Sequence, residues 1–286
     1  YIFNILRVLT GKKRIPIILT LQEGDSENHL QYKWAGLINL SWKLALWSTD
    51  FLTAISNFLL NRAKKHGFSG ESALVPNGVN VSLFSKEFSN KVKEELKMLL
   101  NKKPEDIFLV TVSRLTHKNA TDDIISALVN LPGNISLIII GKGEDGPKLQ
   151  KQARDLGVED RVKFLGFIPY VDLPKYLSVC DVFIRPSRSE GFGNSFIEAM
   201  AAGLPVIATP VGGIPDFIDD KETGVFCSSD NPQSIVKAVT SLLSDKILME
   251  GISQKAKSRV TERYSWDLIA DKMRNVFENV KVKTNI

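Results

Sequence analysis

DVFIRPSRSEGFGNSFIEAMAAGLPVIATP, residues 181–210, holds one complete unit of architecture. Val182, Phe183 and Ile184 begin an apolar run of strand length, Gly191 and Gly193 open a loop, residues 195–202 read as a helix, and PVIATP reads as a second strand. A strand, a helix and a strand in that order ask for a parallel pair, because the helix must carry the chain back across the sheet. The same alternation extends in both directions. Before it come a strand at 107–113, a helix at about 120–130, the strand SLIIIG, a helix at about 146–156, the strand VKFLGF and a helix at 172–179. After it come a short helix at 215–218, a strand near GVFC, and helices over 232–243 and 246–262. Residues 103–262 are therefore expected to form one doubly wound α/β domain, with its ligand outside the carboxyl ends of the strands.

Residues 1–85 are sparser. RIPIILTL and DFLTAIS read as buried strands around a helix at 32–48, and ALVPNGV is a third short segment closed by Pro76, Asn77 and Gly78. Three strands are fewer than a doubly wound sheet normally has, so this segment is expected to be the later part of an incomplete first domain. Residues 86–102 are expected to be a linker, and 263–286 a final helix, N-capped by Ser265, that crosses back to the first domain.

Composition narrows the function. The chain has 286 residues, 43% of them hydrophobic, and its net charge of +5 lies almost wholly in the first piece: residues 1–80 hold nine Lys and Arg against five Asp and Glu. Arg7, Lys12, Lys13 and Arg14 form the densest basic cluster, which fits a solvated strand approach, an anionic membrane surface or an acidic acceptor. Interleaved aromatics and nucleic-acid modules are lacking, so no nucleic acid is expected as a partner. No stretch is apolar enough to span a bilayer, and YIFNILRVLTGKK has no small-residue cleavage site, so no secretion signal is read; the start at Tyr1 reads as a fragment boundary. Cys180 and Cys227 lie far apart, which fits a reducing cytosol, and three histidines without ligand spacing predict no zinc.

The chemistry concentrates in the loops. Gly191 and Gly193 allow close approach of backbone to a ligand, and the helix start behind them receives anions. Glu190 and Glu198 flank that start; Glu198 also fits a capping box with Ser195. Arg114 and Lys118 follow the strand FLVTVS, where they are either solvated cations or the partners of a diphosphate. Gly141, Gly143 and Gly146 form G-x-G-x-x-G after a strand, the context of a dinucleotide fingerprint. Against that, Glu144 and Asp145 would put negative charge in a pyrophosphate cradle, and the next strand ends without an acidic residue for a ribose. His117, Arg185 and Arg188 receive no role, the arginines reading as solvent-facing. Trp34, Trp42 and Trp47 fit a packed role better than a membrane-facing one.

RPSRSEGFGNSFIEAMAAGLPVIATPVGGIP resembles the signature of glycosyltransferase family four, retaining enzymes of the GT-B fold with two facing Rossmann-like domains. AISNFLLNRAKKHG with VPNGVNVSLF, SRLTHKN, and VKFLGFIPYVDLPKYLSVCDVFIRPS resemble further strings of that family, so the likeness runs over roughly residues 15–280. The resemblance implies that Glu190 holds the hydroxyls of a donor sugar and Glu198 a nucleotide ribose. It implies that Gly191 and the backbone of Phe192, Gly193, Asn194 and Ser195 contact sugar and diphosphate, and that Arg114 and Lys118 neutralise the leaving diphosphate. It implies a nucleobase against Gly141, Phe167 and Ile168. It also implies a nucleotide-diphospho-sugar donor, a glycan, lipid or small-molecule acceptor, and neither metal nor cofactor. Two positions depart from the family pattern: the Arg114–Lys118 loop is about one residue shorter with Asn119 where glycine is usual, and Gln22 stands for a histidine, which removes any proton exchange there. A nucleotide-sugar-binding subunit without activity and a GT-B epimerase or phosphorylase remain alternatives. The expected place is the cytoplasm, with peripheral contact at the inner face of the membrane.

Overall fold

The structure, a computed structural model, describes residues 15–24 and 37–284. In the first part, β1 (Ile18–Leu21), α1 (Leu37–Trp47), β2 (Phe51–Ala54), α2 (Asn57–Lys65) and β3 (Glu71–Leu74) alternate, and the three strands pair in parallel in the order β1-β2-β3. The basic cluster from Arg7 to Arg14, Trp34 and the first part of the expected helix at 32–48 lie outside the described residues. A short helix α3 (Val81–Phe84) leads out of this sheet.

Residues 86–102, expected to be a linker, contain the helix α4 (Asn90–Leu99). Ser89 caps it by accepting from Val92 N at 3.4 Å, and Leu96 and Leu100 are buried in the core. The spacing of Val92, Leu96 and Leu100 is the helical signal that identifies it.

The second part runs β4 (Ile107–Val112), α5 (Thr121–Leu128), β5 (Ile135–Ile140), α6 (Gly146–Asp155), β6 (Val162–Gly166), α7 (Leu173–Leu177), β7 (Val182–Arg185), α8 (Asn194–Ala201), β8 (Val206–Ala208) and β9 (Val225–Phe226), then α9 (Pro232–Ser244), α10 (Lys246–Arg263) and α11 (Trp266–Thr284). Its six strands are all parallel in the order β6-β5-β4-β7-β8-β9. Chain order runs outward in both directions from the β4–β7 pair. That pair is the topological switch point, and the loops leaving β4 and β7 diverge there to leave a crevice.

Both faces of this sheet are covered, as the unbroken apolar strands require. Phe108, Val110, Ile138, Ile140 and Phe183 enter one core, which continues into Leu52, Leu59 and Phe84 of the first part. Leu109, Leu137, Ile139, Val182 and Ile184, which alternate with them, enter a second core with α5, α6 and α9. The final helix packs against the first sheet. Ile269, Val276 and Val280 of α11 bury themselves against Phe51 and Val75, and each such side chain contributes roughly 1.5–3 kcal/mol. Val79 N donates to Tyr264 O at 2.8 Å, so the two crossings between the sheets lie side by side. Ser265 Oγ faces Leu268 N at 3.5 Å, the cap position expected for it.

Candidate functional site

The carboxyl ends of the two sheets meet. After β1, a Cβ on Gly24 would lie 2.0 Å from Gly191 N, and one on Gly191 would lie 2.8 Å from Gln22 O, so these backbones touch only because both residues are glycine. Ser189 Oγ donates to Gly24 O. After β2, Asn57 N donates to Asp216 Oδ2 at 2.7 Å; after β3, Asn77 Nδ2 donates to Asn194 Oδ1 at 3.0 Å. Gln22 therefore sits at the junction beside the loop that carries Glu190.

The loop between β7 and α8 is built around Arg185. This arginine does not face solvent: it is buried, donates from Nε to Ser187 Oγ at 3.0 Å and from Nη1 to Ser195 Oγ at 2.8 Å, and ion-pairs through Nη2 with Glu190. Its guanidinium lies 4.5 Å over the Phe196 ring. The other Glu190 oxygen accepts from Gly191 N at 3.0 Å. Gly193, at φ 97°, caps α8, and a Cβ there would meet the Phe196 ring at 2.5 Å. The expected capping box is therefore absent. The helix starts one residue early, Ser195 is occupied by Arg185, and Glu198 falls on the second turn. Burial pushes the Glu198 carboxyl up to about 7, against the opposing pull of Arg185. The same burial lowers Arg185 to about 10. Phe192 gives the site only its backbone, because its side chain is buried against Phe217 and Tyr264 at centroid distances of 5.1 and 5.6 Å.

Arg114 is exposed on the loop leaving β4, and Lys118 lies on the short turn that follows, with Nζ 3.8 Å from Glu23 Oε2. Asn119 explains how this shortened loop closes: its Nδ2 donates to Arg114 O at 2.5 Å, and the next residue, Ala120, takes φ 53°. Arg188 fastens this loop to the β7 loop, and it too is mostly buried. Its backbone N donates to Lys118 O at 2.8 Å, and its side chain donates to His117 O at 2.7 Å, to both Asp122 oxygens at 2.9 and 3.1 Å, to Asp123 at 3.0 Å and to Asp230 at 2.5 Å. Burial pushes Asp122 up, but Arg188 outweighs it and holds that carboxyl below its ordinary range; Asp123 is raised by burial. His117 contributes a carbonyl here and its ring is exposed.

Beside Arg114 lies an open cavity of about 560 Å³, lined by Val112, Ser113, Arg114, Ile140, Gly141, Lys142, Phe167 and Ile168. Its size is that of a small-molecule site. Gly141, Phe167 and Ile168 are thus brought together with Arg114 at the ends of β4, β5 and β6. The G-x-G-x-x-G string has a packing reason. A Cβ on Gly141 would lie 1.9 Å from Ser113 O, and one on Gly143 would lie 2.1 Å from Leu115 O. Those glycines let the β5 loop press onto the cationic loop, whose Leu115 N donates to Lys142 O at 3.0 Å.

Away from the cleft, Trp42 packs edge-on against His66 at 4.6 Å, as a packed role requires. Trp47 is 72% exposed and shares a face of α1 with exposed Leu37, Leu40 and Leu44. Among the described residues no helix is long and apolar enough to cross a membrane.

Residues 92–259 match the family described as Glycosyl transferases group 1. The chain is 34% identical, over 72% of its length and 53% of the relative's, to an uncharacterized glycosyltransferase of Methanocaldococcus jannaschii. It is 30% identical, over 79% of its length and 60% of the relative's, to the GDP-mannose-dependent alpha-(1-6)-phosphatidylinositol monomannoside mannosyltransferase of Mycobacterium tuberculosis. The chain thus spans little more than half the length of these relatives. Among solved structures, HepE of Anabaena in complex with UDP and glucose superposes with a TM-score of 0.85 at 22% identity, over 97% of this chain and 75% of that one, which establishes a shared GT-B fold.

Proposed function

The chain belongs to the glycosyl transferases group 1 family, and on that premise we propose that it forms the donor-binding part of a retaining glycosyltransferase whose donor is a nucleotide-diphospho-sugar. The observation that carries this reading is the convergence at one switch point of a pair of loop cations, a cavity of about 560 Å³ and the Glu190 carboxylate. On this reading a nucleotide lies across the strand ends. The base enters the cavity against Gly141, Phe167 and Ile168, the diphosphate meets Arg114 and Lys118, and Glu198 takes the ribose hydroxyls. The sugar rests on Glu190 and on the backbone of Gly191, Phe192, Gly193, Asn194 and Ser195. The GDP-mannose dependence of one relative and the UDP and glucose held by one structural neighbour support a donor of this class.

In transfer, the bond between the anomeric carbon and the diphosphate oxygen breaks, and negative charge grows on the diphosphate. Arg114, Lys118 and the first amides of α8 stabilise that charge without a metal. The acceptor hydroxyl attacks from the side the diphosphate leaves and passes its proton to the departing diphosphate oxygen, which keeps the anomeric configuration. The acceptor is a glycan or lipid, and the apolar stripe of α1 supports peripheral contact with the inner face of a membrane. A second reading, a nucleotide-sugar-binding subunit without transfer, is favoured by Gln22, which cannot exchange a proton at the junction of the sheets. Thermal-shift titration with UDP-, GDP- and ADP-sugars, repeated in excess EDTA, tests donor class and metal independence together. One nucleotide series is expected to stabilise the protein equally with and without EDTA; stabilisation restored only by magnesium or manganese would refute the metal-free reading. Transfer from labelled donor then separates enzyme from silent subunit.

A further inference from the structure

Arg185 is the last residue of β7, and nothing in the proposed chemistry employs it. A guanidinium on a side chain only 7% exposed is costly to keep without partners. Its donors are divided among three partners that move different parts of the loop: Ser187 at its start, Glu190 at its middle and Ser195 on the first turn of α8. The planar fork allows these contacts together in one orientation only, and the Phe196 ring at 4.5 Å backs that plane. With Gly191 N holding the other oxygen at 3.0 Å, the Glu190 carboxylate has each oxygen fixed by one donor. An ionised carboxylate accepts about four hydrogen bonds, so about two positions stay available in a fixed direction.

We propose that Arg185 is the positioning residue for the donor sugar: it orients the Glu190 carboxylate so that its remaining acceptor positions receive two sugar hydroxyls. The inference rests on the assignment of Glu190 to the sugar. Arg185 itself touches neither sugar nor phosphate, since it lies beneath the loop. It also ties the sugar-binding carboxylate to the helix start, so that both form one rigid body. A lysine at this position keeps the charge but reaches one partner at a time, which leaves the carboxylate free to turn.

The test compares each nucleoside diphosphate with its sugar, UDP against UDP-glucose and GDP against GDP-mannose, by calorimetry. The ratio of the two Kd values isolates what the sugar adds. In Arg185→Lys that ratio is expected to fall at least tenfold while the Kd of the diphosphate changes by less than about threefold. Arg185→Lys combined with Glu190→Gln is expected to lower the ratio no further than Glu190→Gln alone. Ser187→Ala, which removes one anchor of the guanidinium and leaves the charge pair in place, is a milder second variant. It is expected to lower the ratio by about threefold with the thermal midpoint kept within a few degrees. Equal losses for diphosphate and sugar, or additive effects in the double variant, would overturn the proposal and leave Arg185 a structural arginine. Absence of binding of either ligand by the unaltered protein would instead overturn the donor-site reading itself.

Discussion

Glu198→Gln separates the electrostatics of the site from its shape. In the folded protein, burial raises the Glu198 carboxyl from 4.5 to about 7. At 1.36 kcal/mol per unit, ionising it in place costs about 3 kcal/mol more than ionising it in the unfolded chain. The folded state holds this proton at pH values where the unfolded chain has already lost it. Stability from the protonated carboxyl is therefore fully present below pH 4.5 and is lost as pH rises through about 7. Glutamine preserves the shape and does not titrate. The variant should match the unaltered protein near pH 4.5 and exceed it by about 3 kcal/mol at pH 8, a gap of roughly 5–10 °C in thermal midpoint for a domain of this size. Thermal unfolding followed by circular dichroism at half-unit steps of pH measures the difference, and all other titrating groups cancel in it. Parallel curves for the two proteins would refute a buried, proton-holding Glu198.

Arg114→Ala or Lys118→Ala should weaken a nucleoside diphosphate by roughly 1.5–3 kcal/mol while leaving the nucleoside nearly unaffected, since each removes a charge-assisted hydrogen bond; calorimetry with both ligands checks this, and equal losses would contradict it. Gly141→Ala forces a Cβ to within 1.9 Å of Ser113 O at φ 136°, so it should cost upward of about 2 kcal/mol in urea unfolding and lower nucleotide affinity by displacing the cationic loop. A neutral result would mean the two loops are not in contact. Glu190→Gln should abolish most of the sugar's contribution to binding while sparing the free diphosphate, with product from labelled donor falling in step. Loss of both ligands alike would remove Glu190 from the sugar.

The sheet was legible because its determinants are local. Each strand of the second part is a short apolar run and each helix carries its own periodicity, so the alternation from residue 107 onward needs no knowledge of partners. The start of the final helix is legible too, from Ser265 as a cap. What escaped depends on distance along the chain. Arg188 reads as a solvated cation because its carboxylate partners lie at positions 122, 123 and 230. Arg185 lies only five residues from Glu190, but a charge at a strand end gives no sign that the next loop folds over it. The Ser195 and Glu198 spacing suggests a capping box, yet the left-handed conformation open to Gly193 starts the helix earlier. In the same way the glycines at 141 and 143 advertise a phosphate cradle, whereas backbone from another loop is what requires them. The helix at 90–99, which replaces the expected linker, carries a legible signal in the Ser89 cap and in the spacing of Val92, Leu96 and Leu100.

One ligand is predicted to occupy the crevice at the β4–β7 switch point. Hydrogen exchange with and without saturating UDP-glucose or GDP-mannose tests this most directly, because it reports each loop separately. Slowed exchange confined to the loops around residues 114–118, 141–143, 167–168 and 190–198 is the predicted result. Saturation of binding with those four loops unchanged, or with protection elsewhere in the chain, would contradict it.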